Sequence, residues 1–388
     1  SYNGAGGKSI MALDVTNAAS GFGTDNFMWE FRHPNLGHVL NPPTVGLLES
    51  GDWAVFAGNG LNSSDNRARL MVLDAANGGL RESIVVGAGS ASNPNGLTSA
   101  VPMDTDFNGK VDTVYGGDMH GNVWKFTLSA SGSFSAGSLL FTATDSGGTR
   151  QPITGALDSA PHHIEGQMVV FGTGKYVEVG DNLPTAQATT QIQTLYGIWD
   201  KNDGSTVGAR SNLQPQQITS SNTSNGRESR QLSSNTVDWD NQRGWYLDLS
   251  VGSAEGERSV GRPRVFLGSV AFTTLEPQGD ECSPGALNRL YLVRLLTGAP
   301  ALNLNNGNSN TGAVVISQGA PVFEPPIGII SPPGSGPRQE DPRDADGNLI
   351  EPGEGPNCTS RLAAIVGSEG AVDIGVLNCG RQSWRQLQ

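Results

Sequence analysis

The sequence predicts an all-β fold, a modified β-propeller of four-stranded blades with long irregular loops, and three observations predict it. The first is an internal repeat. Val55-Phe56-Ala57-Gly58, Val114-Tyr115-Gly116-Gly117 and Val169-Val170-Phe171-Gly172 are apolar runs closed by glycine, with Gly58, Gly116 and Gly172 spaced by 58 and 56 residues. The second is that the strand following each run also repeats, as Leu70-Met71-Val72-Leu73-Asp74, Asn122-Val123-Trp124-Lys125-Phe126 and Leu195-Tyr196-Gly197-Ile198-Trp199-Asp200, with Ile10-Met11-Ala12-Leu13-Asp14 ahead of them. The third is composition: 53 Gly and 22 Pro among 388 residues, and no long Ala/Leu/Glu/Lys-rich stretch, make a turn-dense chain with few helices. A repeat of this length holds several short strands whose small sheet cannot cover both its faces alone, so neighbours must stack around an axis. A β-sandwich would repeat its strands at shorter intervals and fits less well.

Taken in chain order, residues 9–15 and 27–31 read as half a blade, completed from upstream sequence or from the C terminus. Whole blades follow at 43–86, 97–145 and 152–219. A fourth draws strands from 265–272 and 290–295, and a fifth from 313–316, a hairpin over 361–377, and 382–387. The expectation is five blades and a half in one domain over residues 1–388. Two stretches break the pattern. Residues 201–236, rich in Ser, Asn, Gln and Thr, offer few side chains to bury and are expected to form a mobile polar loop insertion. Residues 324–357 are dense in Pro and Gly, which block strand and helix alike, and are expected to form a second loop insertion. Such insertions on a rigid scaffold serve either as binding loops or as passive spacers.

The formal net charge of −13, from 37 acidic and 24 basic residues with no Lys/Arg cluster, excludes a nucleic-acid partner, whose phosphates need a basic stripe. No run of about 18 apolar residues is present, so no membrane-spanning helix is expected. The opening SYNGAGGKS has neither the basic start nor the apolar middle of a signal peptide, and a strand-like segment follows at once; the chain reads as part of a longer one.

Three cysteines, Cys282, Cys358 and Cys379, leave one over if two pair. Residues 361–366 and 371–377 form two apolar runs joined by Gly367-Ser368-Glu369-Gly370. Folding that hairpin about Ser368 and Glu369 pairs residues whose numbers sum to 737, as do those of Cys358 and Cys379. Facing Cβ atoms on paired strands lie about 5 Å apart, close to disulfide range. A Cys358–Cys379 disulfide, and with it an oxidising extracytoplasmic location, is therefore expected. The alternative is two reduced cysteines beside a strand pair. Cys282 is then buried, free, or bonded to sequence outside this chain.

The strongest chemical signal is Asp104-Thr105-Asp106-Phe107-Asn108-Gly109-Lys110-Val111-Asp112. Side-chain oxygens fall at positions 1, 3, 5 and 9, with Gly at 6 and a carbonyl on offer at 7, the ligand spacing of an EF-hand-like Ca2+ loop. Alternate residues of a tightly curled loop point inward, and Gly109 permits the turn that brings Asp112 to the same centre. Asp104, Asp106, Asn108, the Lys110 carbonyl and Asp112 offer five groups; one bidentate carboxylate and one water bring the set to about seven oxygens, which suits Ca2+ better than Mg2+. Position 12 is Tyr115 rather than Glu, and the flanks at 98–103 and 111–115 read as strands, so the ion is expected to fix a loop rather than rotate helices. A metal-free Asp/Asn/Gly turn is the bland alternative. A second loop, Asp344-Ala345-Asp346-Gly347-Asn348, begins alike but has Pro352 at position 9, with Glu351 and Glu354 as possible stand-ins; the competing reading is an exposed acidic turn.

Other residues point to structure. Adjacent His162 and His163 face opposite sides of a strand and cannot readily share a metal, which leaves a packed imidazole. His120 sits in a turn that Asp118 caps, while His33 and His38 flank a proline-bearing loop. Trp124, Trp199 and Trp245 fall in strand-like stretches and read as core between blades. Spacing alone brings out no Ser–His–Asp or paired-carboxylate constellation.

In order along almost the whole chain, GGKSIMALDVTN at 6–17, WAVFAGNGLNS at 53–63, the Ca2+ loop running into VDTVYGGDMHGNVWKF at 111–126, FGTGKYVEVGDN at 171–182, LYGIWDK at 195–201, GWYLDLS at 244–250, GER at 256–258, FTTLEP at 272–277 and GRQSWRQL at 380–387 resemble the C-terminal domain of the PilY1 family of type IV pilus biogenesis and tip proteins. The resemblance implies a noncatalytic propeller outside the cytoplasm, at the pilus tip or outer surface of a Gram-negative bacterium. It implies pilus components such as minor pilins as partners, with host or abiotic surfaces beside them. The family's Ca2+ loop maps onto Asp104, Asp106, Asn108, Lys110 and Asp112, and its occupancy implies control of pilus extension against retraction, twitching motility and adhesion. No Arg-Gly-Asp triplet occurs here, so integrin-type adhesion does not carry over. The family propeller is described with seven blades, more than are legible in this chain. The competing function is a quinoprotein dehydrogenase, also a Ca2+-bearing propeller. Those enzymes need the ion beside a redox cofactor, commonly stacked on a disulfide of adjacent cysteines, and here no two cysteines are adjacent.

Overall fold

The computed structural model describes residues 7–325 apart from 17–20, 22, 88, 130–131, 179, 183–190, 225–226, 279–284 and 302–309, and the backbone alone of 224, 227, 327–330, 359–365 and 371–378. The described chain is laid down as six antiparallel or mainly antiparallel sheets. Sheet I pairs β1 (Ile10–Leu13) with β2 (Phe27–Phe31). Sheet II is a four-stranded meander of β3 (Thr44–Leu47), β4 (Trp53–Gly58), β5 (Arg69–Asp74) and β6 (Leu80–Val85). Sheet III repeats it with β7 (Val101–Met103), β8 (Thr113–Gly117), β9 (Asn122–Thr127) and β10 (Ser138–Thr142).

The next strands are β11 (Asp158–Pro161), β12 (Gln167–Gly172), β13 (Thr194–Asp200), β14 (Gln214–Gln216), β15 (Ile218–Ser224), β16 (Arg227–Leu232) and β17 (Gly244–Asp248). Sheet IV takes them in the order β11-β12-β13-β17-β14, the last pair parallel. Sheet V joins β15 and β16 to β18 (Arg264–Phe266), β19 (Ser269–Pro277), β20 (Ala286–Arg294) and β21 (Thr311–Gly319), in the order β15-β16-β21-β20-β19-β18. Sheet VI holds β22 (Ile327–Ile330), β23 (Thr359–Ile365) and β24 (Ala371–Asn378).

The central strands are apolar along their whole length because each is buried on both faces. On β4, Val55 and Ala57 join Ile10, Trp29 and Phe31 of sheet I in one cluster, while Ala54 and Phe56 join Val114, Trp124 and Phe126 of sheet III in another. The same alternation recurs on β12, where Val169 and Phe171 pack with Val101, Tyr115 and Phe141 of sheet III, and Met168 and Val170 with Phe272 and Tyr291 of sheet V. One core cluster thus fills each gap from sheet I to sheet V. The repeated glycines close the strands where the segment leading into the next sheet passes against them. A Cβ on Gly58 would lie 2.3 Å from the Leu97 carbonyl oxygen, and one on Gly172 would lie 2.3 Å from the Ser259 Cβ, so only glycine admits those approaches.

A half blade followed by five sheets matches the predicted count, with three corrections. Residues 201–236, expected as a loop, carry β14, β15 and β16. The strand β16 is polar, yet its pairing with β21 and a set of ion pairs bury Arg230 and Leu232. Residues 313–316, expected in the last blade, lie within β21 of sheet V, where Leu290 pairs with Val314. An apolar run specifies a strand but not its neighbour. In sheet VI, Thr359 pairs with Asn378 and Ser360 with Leu377, the register the hairpin predicts, with a shift between Leu362 and Ala363. Of residues 324–357, expected as a loop, 327–330 form β22 paired to β23, because Ile327-Gly328-Ile329-Ile330 is an apolar run between the prolines; 326 and 331–357, with Cys282, Cys358, Cys379, the segment 382–387 and the second acidic loop at 344–348, lie outside the described residues.

Candidate metal centre

The strands β7 and β8 pair through Met103 and Thr113, which makes the nine residues 104–112 the loop of a hairpin. Its base is fixed on three sides. Asp112 N donates to Met103 O (3.1 Å), Leu128 N donates to Asp112 O (2.7 Å), and Val111 N donates to Leu47 O (2.8 Å) across to sheet II. The Val111 side chain enters the core between sheets II and III, directly over Gly46. Within the loop, Phe107 (φ 63°) and Gly109 (φ 86°) are left-handed and curl the chain on itself.

That curl gathers the carboxylates. Oxygens of Asp104, Asp106 and Asp112 lie within 4.8 Å of one another, Asp106 exposed and the other two half-buried. Backbone N–H groups pre-arrange them. Asn108 N and Gly109 N donate to the two Asp104 oxygens (3.1 and 2.7 Å), and Thr105 N and Asp106 N both donate to Asp112 Oδ2 (2.7 and 3.2 Å). The Thr105 hydroxyl donates to Asp112 Oδ1 (2.6 Å). Lys110 N donates to Asn108 Oδ1 (2.8 Å), and Asn108 N and Nδ2 donate to the two Asp106 oxygens (each 3.1 Å). Three acids held this close, with no cationic side chain paired to any of them among the described residues, form a donor set of hard oxygens that fits Ca2+. The four acidic or amide side chains named from the sequence are brought together, and Lys110 lies in the same turn.

One participant was invisible to sequence reasoning. Glu49, in the connection between β3 and β4 of sheet II, accepts from Asn108 Nδ2 (2.7 Å) and pairs with Lys110 Nζ (2.9 Å). The Lys110 bond, with that of Asn108, holds the Glu49 carboxyl below its ordinary range. Its only sequence signal is an acid in a loop, and it belongs to a different repeat. Position 12 departs from the EF-hand pattern fully: Tyr115 is buried and its hydroxyl donates to Asp200 Oδ2 (2.6 Å), which also pairs with Lys125 Nζ (2.7 Å). Burial, with Asp200 beside it, pushes the Tyr115 phenol far up.

The remaining predicted residues are structural. Asp118 is wholly buried and caps its turn, accepting from His120 N (2.9 Å), Asn122 N (2.9 Å) and Trp124 Nε1 (2.8 Å). Trp124, Trp199 and Trp245 are buried between sheets. His162 and His163 do not diverge as strand neighbours would, because β11 ends at Pro161. Their rings lie 4.3 Å apart, and His162 stacks on Trp199 at 4.2 Å.

Residues 2–227 match the family model of the PilY1 β-propeller domain. A type IV pilus biogenesis factor PilY1 homolog of Xylella fastidiosa is 33% identical over 99% of this chain and 28% of its own length. The type IV pilus biogenesis factor PilY1 of Pseudomonas aeruginosa is 36% identical over 76% of this chain, again 28% of its length. The chain thus spans under a third of these curated relatives. The crystal structure of the Pseudomonas aeruginosa PilY1 C-terminal domain superimposes with a TM-score of 0.72 at 26% identity, covering 96% of this chain and 79% of that one. Among the described residues no helix is long and apolar enough to cross a membrane.

Proposed function

Because this chain belongs to the PilY1 β-propeller family, we propose that it is a noncatalytic calcium-binding module of a type IV pilus biogenesis protein. One observation carries the calcium reading: three aspartates of a nine-residue hairpin loop share a 4.8 Å space with no cationic side chain paired to them among the described residues. The pilus reading comes from the relatives, which are named as type IV pilus biogenesis factors.

When bound, calcium supplies a divalent charge that offsets the mutual repulsion of the aspartates. Asp104, Asp106, Asn108 and Asp112 would hold it with side-chain oxygens and Lys110 with its carbonyl. The backbone donors from Thr105, Asp106, Asn108 and Gly109 keep those carboxylates oriented. Because the loop base is bonded to both sheet II and sheet III, the rim at this edge changes its charge and rigidity with occupancy while the sheets stay in place. In this reading such a rim sets the balance of pilus extension and retraction, and through it twitching motility and surface adhesion. Its partners are pilus components such as minor pilins, together with host or abiotic surfaces. The location is extracytoplasmic, at the pilus tip or outer cell surface.

Calorimetric titration of the domain with Ca2+ tests the reading, alongside pilus retraction in cells carrying the same substitution in the full-length protein. Asp112→Ala is expected to abolish the binding heat and to change the fraction of pili that retract. Unchanged Ca2+ binding in that variant would sink the proposal.

A further inference from the structure

Lys110 belongs to the acidic loop and carries a flexible ammonium, yet that ammonium is not on Asp104, Asp106 or Asp112. It lies 2.9 Å from Glu49 of the neighbouring sheet. The other Glu49 oxygen accepts from Asn108 Nδ2 at 2.7 Å, and the same amide donates to Asp106 Oδ2 at 3.1 Å. Contacts therefore run without a break from Lys110 through Glu49 and Asn108 to Asp106, and the lysine is tethered away from the carboxylates that would attract it.

We propose that Glu49 is a positioning residue for the ion site, holding the Lys110 ammonium off the three aspartates so that a tethered monovalent cation does not occupy the place of the divalent one. The inference rests on the calcium reading above. Three close carboxylates attract any free ammonium, and a lysine within the same loop is present at high effective concentration. Released from Glu49, the four-carbon stem lets Lys110 fold back over the loop, and calcium then has to displace it. Glu49 stands on the β3–β4 connection while the aspartates stand on the β7–β8 hairpin, so the site reaches full affinity only with sheets II and III docked.

The test is calcium titration of the domain by calorimetry with Glu49→Gln and Lys110→Met, singly and combined. Glu49→Gln keeps an oxygen acceptor for the Asn108 amide and removes only the charge that holds the lysine. It is expected to weaken Ca2+ binding about tenfold, the scale on which residues outside the ligand shell act. In the Lys110→Met background the same change is expected to cost less than about twofold, because no ammonium remains to be released. Melting temperatures in EDTA are expected to stay level across the set; a purely structural Glu49 would lower them and would gain no rescue from Lys110→Met. A Glu49→Gln cost that is equal in both backgrounds, or absent, overturns this inference alone. A wild-type domain that takes up no calcium overturns the calcium reading with it.

Discussion

Two clusters of carboxylates among the described residues meet different ends. On the rim, Asp104, Asp106 and Asp112 have backbone and hydroxyl donors but, among the described residues, no cationic side chain paired to them. Against sheet V, Glu228 of β16, Glu276 of β19 and, from the segment before β18, Glu255 and Glu257 surround two buried arginines. Arg230 reaches Glu257 (2.5 Å), Glu255 (2.7 Å) and Glu228 (3.0 Å), while Arg289 reaches Glu276 (2.8 Å) and Glu228 (3.1 Å). Burial works against the charge of Glu228, but Arg289 and Arg230 hold its pKa down to about 2; wholly buried Glu257 is likewise held below its usual range against burial by the same two arginines. Tyr291, its phenol pushed far up chiefly by burial, completes the set by accepting from Arg230 (3.0 Å). The two outcomes follow from where the countercharge comes from. A cluster that contains its own guanidinium groups is a way of burying a polar strand, here β16; one that lacks them leaves a demand for a cation from outside.

The largest expected effect tests the buried side of that contrast. Glu257, which also lies 3.4 Å from Arg289, is one of two acids shared by Arg230 and Arg289, so Glu257→Ala leaves both buried arginines short of a partner and is expected to cost about 3–5 kcal/mol of folding free energy by urea denaturation. The loss should be the same in EDTA and in calcium. A cost under about 1 kcal/mol, the range of solvent-exposed pairs, would mean that the two clusters do not differ as described. The next effect tests the rim. Calcium at a hundred times its dissociation constant is expected to stabilise the domain by about 2.7 kcal/mol. Asp112→Asn should remove that increment and Glu257→Ala should keep it; if both variants lose it, or neither does, the clusters are not independent.

The contrast also explains what was legible in the sequence. The rim loop's gathering of carboxylates could be read because they are local: alternate residues of one tight turn, with Gly109 at the bend, constrain one another whatever the rest of the chain does. The blades could be read for a related reason, since strands buried on both faces must be apolar throughout and Gly58 and Gly172 mark where the next sheet passes. Hairpin register was likewise local, and Thr359 opposite Asn378 follows from the turn between β23 and β24. Glu49 was not legible, because its partners Asn108 and Lys110 lie in another repeat and nothing about an acid in a loop names them. The strand Arg227–Leu232 failed for the same reason. RESRQL has no apolar alternation, and of the acids that let Arg230 be buried only Glu228 lies in the run itself, while Glu255 and Glu257 come from the segment before β18. Pairing at a distance, whether of charges or of β21 with β20, is the information that local pattern lacks.

The smallest effect sharpens the comparison with a third case, a polar ring buried with neither carboxylate nor ion. His162 packs between Trp199 (4.2 Å) and Trp239 (4.4 Å), accepts from Ile164 N at Nδ1 (3.2 Å), and has no hydrogen-bond partner at buried Nε2 among the described residues. The charged groups facing it are all cationic when protonated: His163 against its ring, and Lys201 and Arg243 over the Trp199 ring at 4.5 and 5.8 Å. Burial first, then His163 and Lys201, lowers its pKa from 6.5 to about 4. The unfolded chain therefore binds a proton near pH 6.5 that the folded chain refuses until about pH 4. Stability contributed by the neutral ring is complete above pH 6.5, falls across that window, and is level below it. Discounted for partial solvent access, the fall amounts to about 2 kcal/mol. His162→Phe keeps a ring between the tryptophans and removes the titration, so subtracting its pH profile in EDTA from that of the wild type isolates this one group from every carboxylate of both clusters. Profiles that run parallel from pH 7 to pH 4 would show that the ring is open enough to water to charge in place, and the aromatic cluster would then belong with the rim rather than with the core.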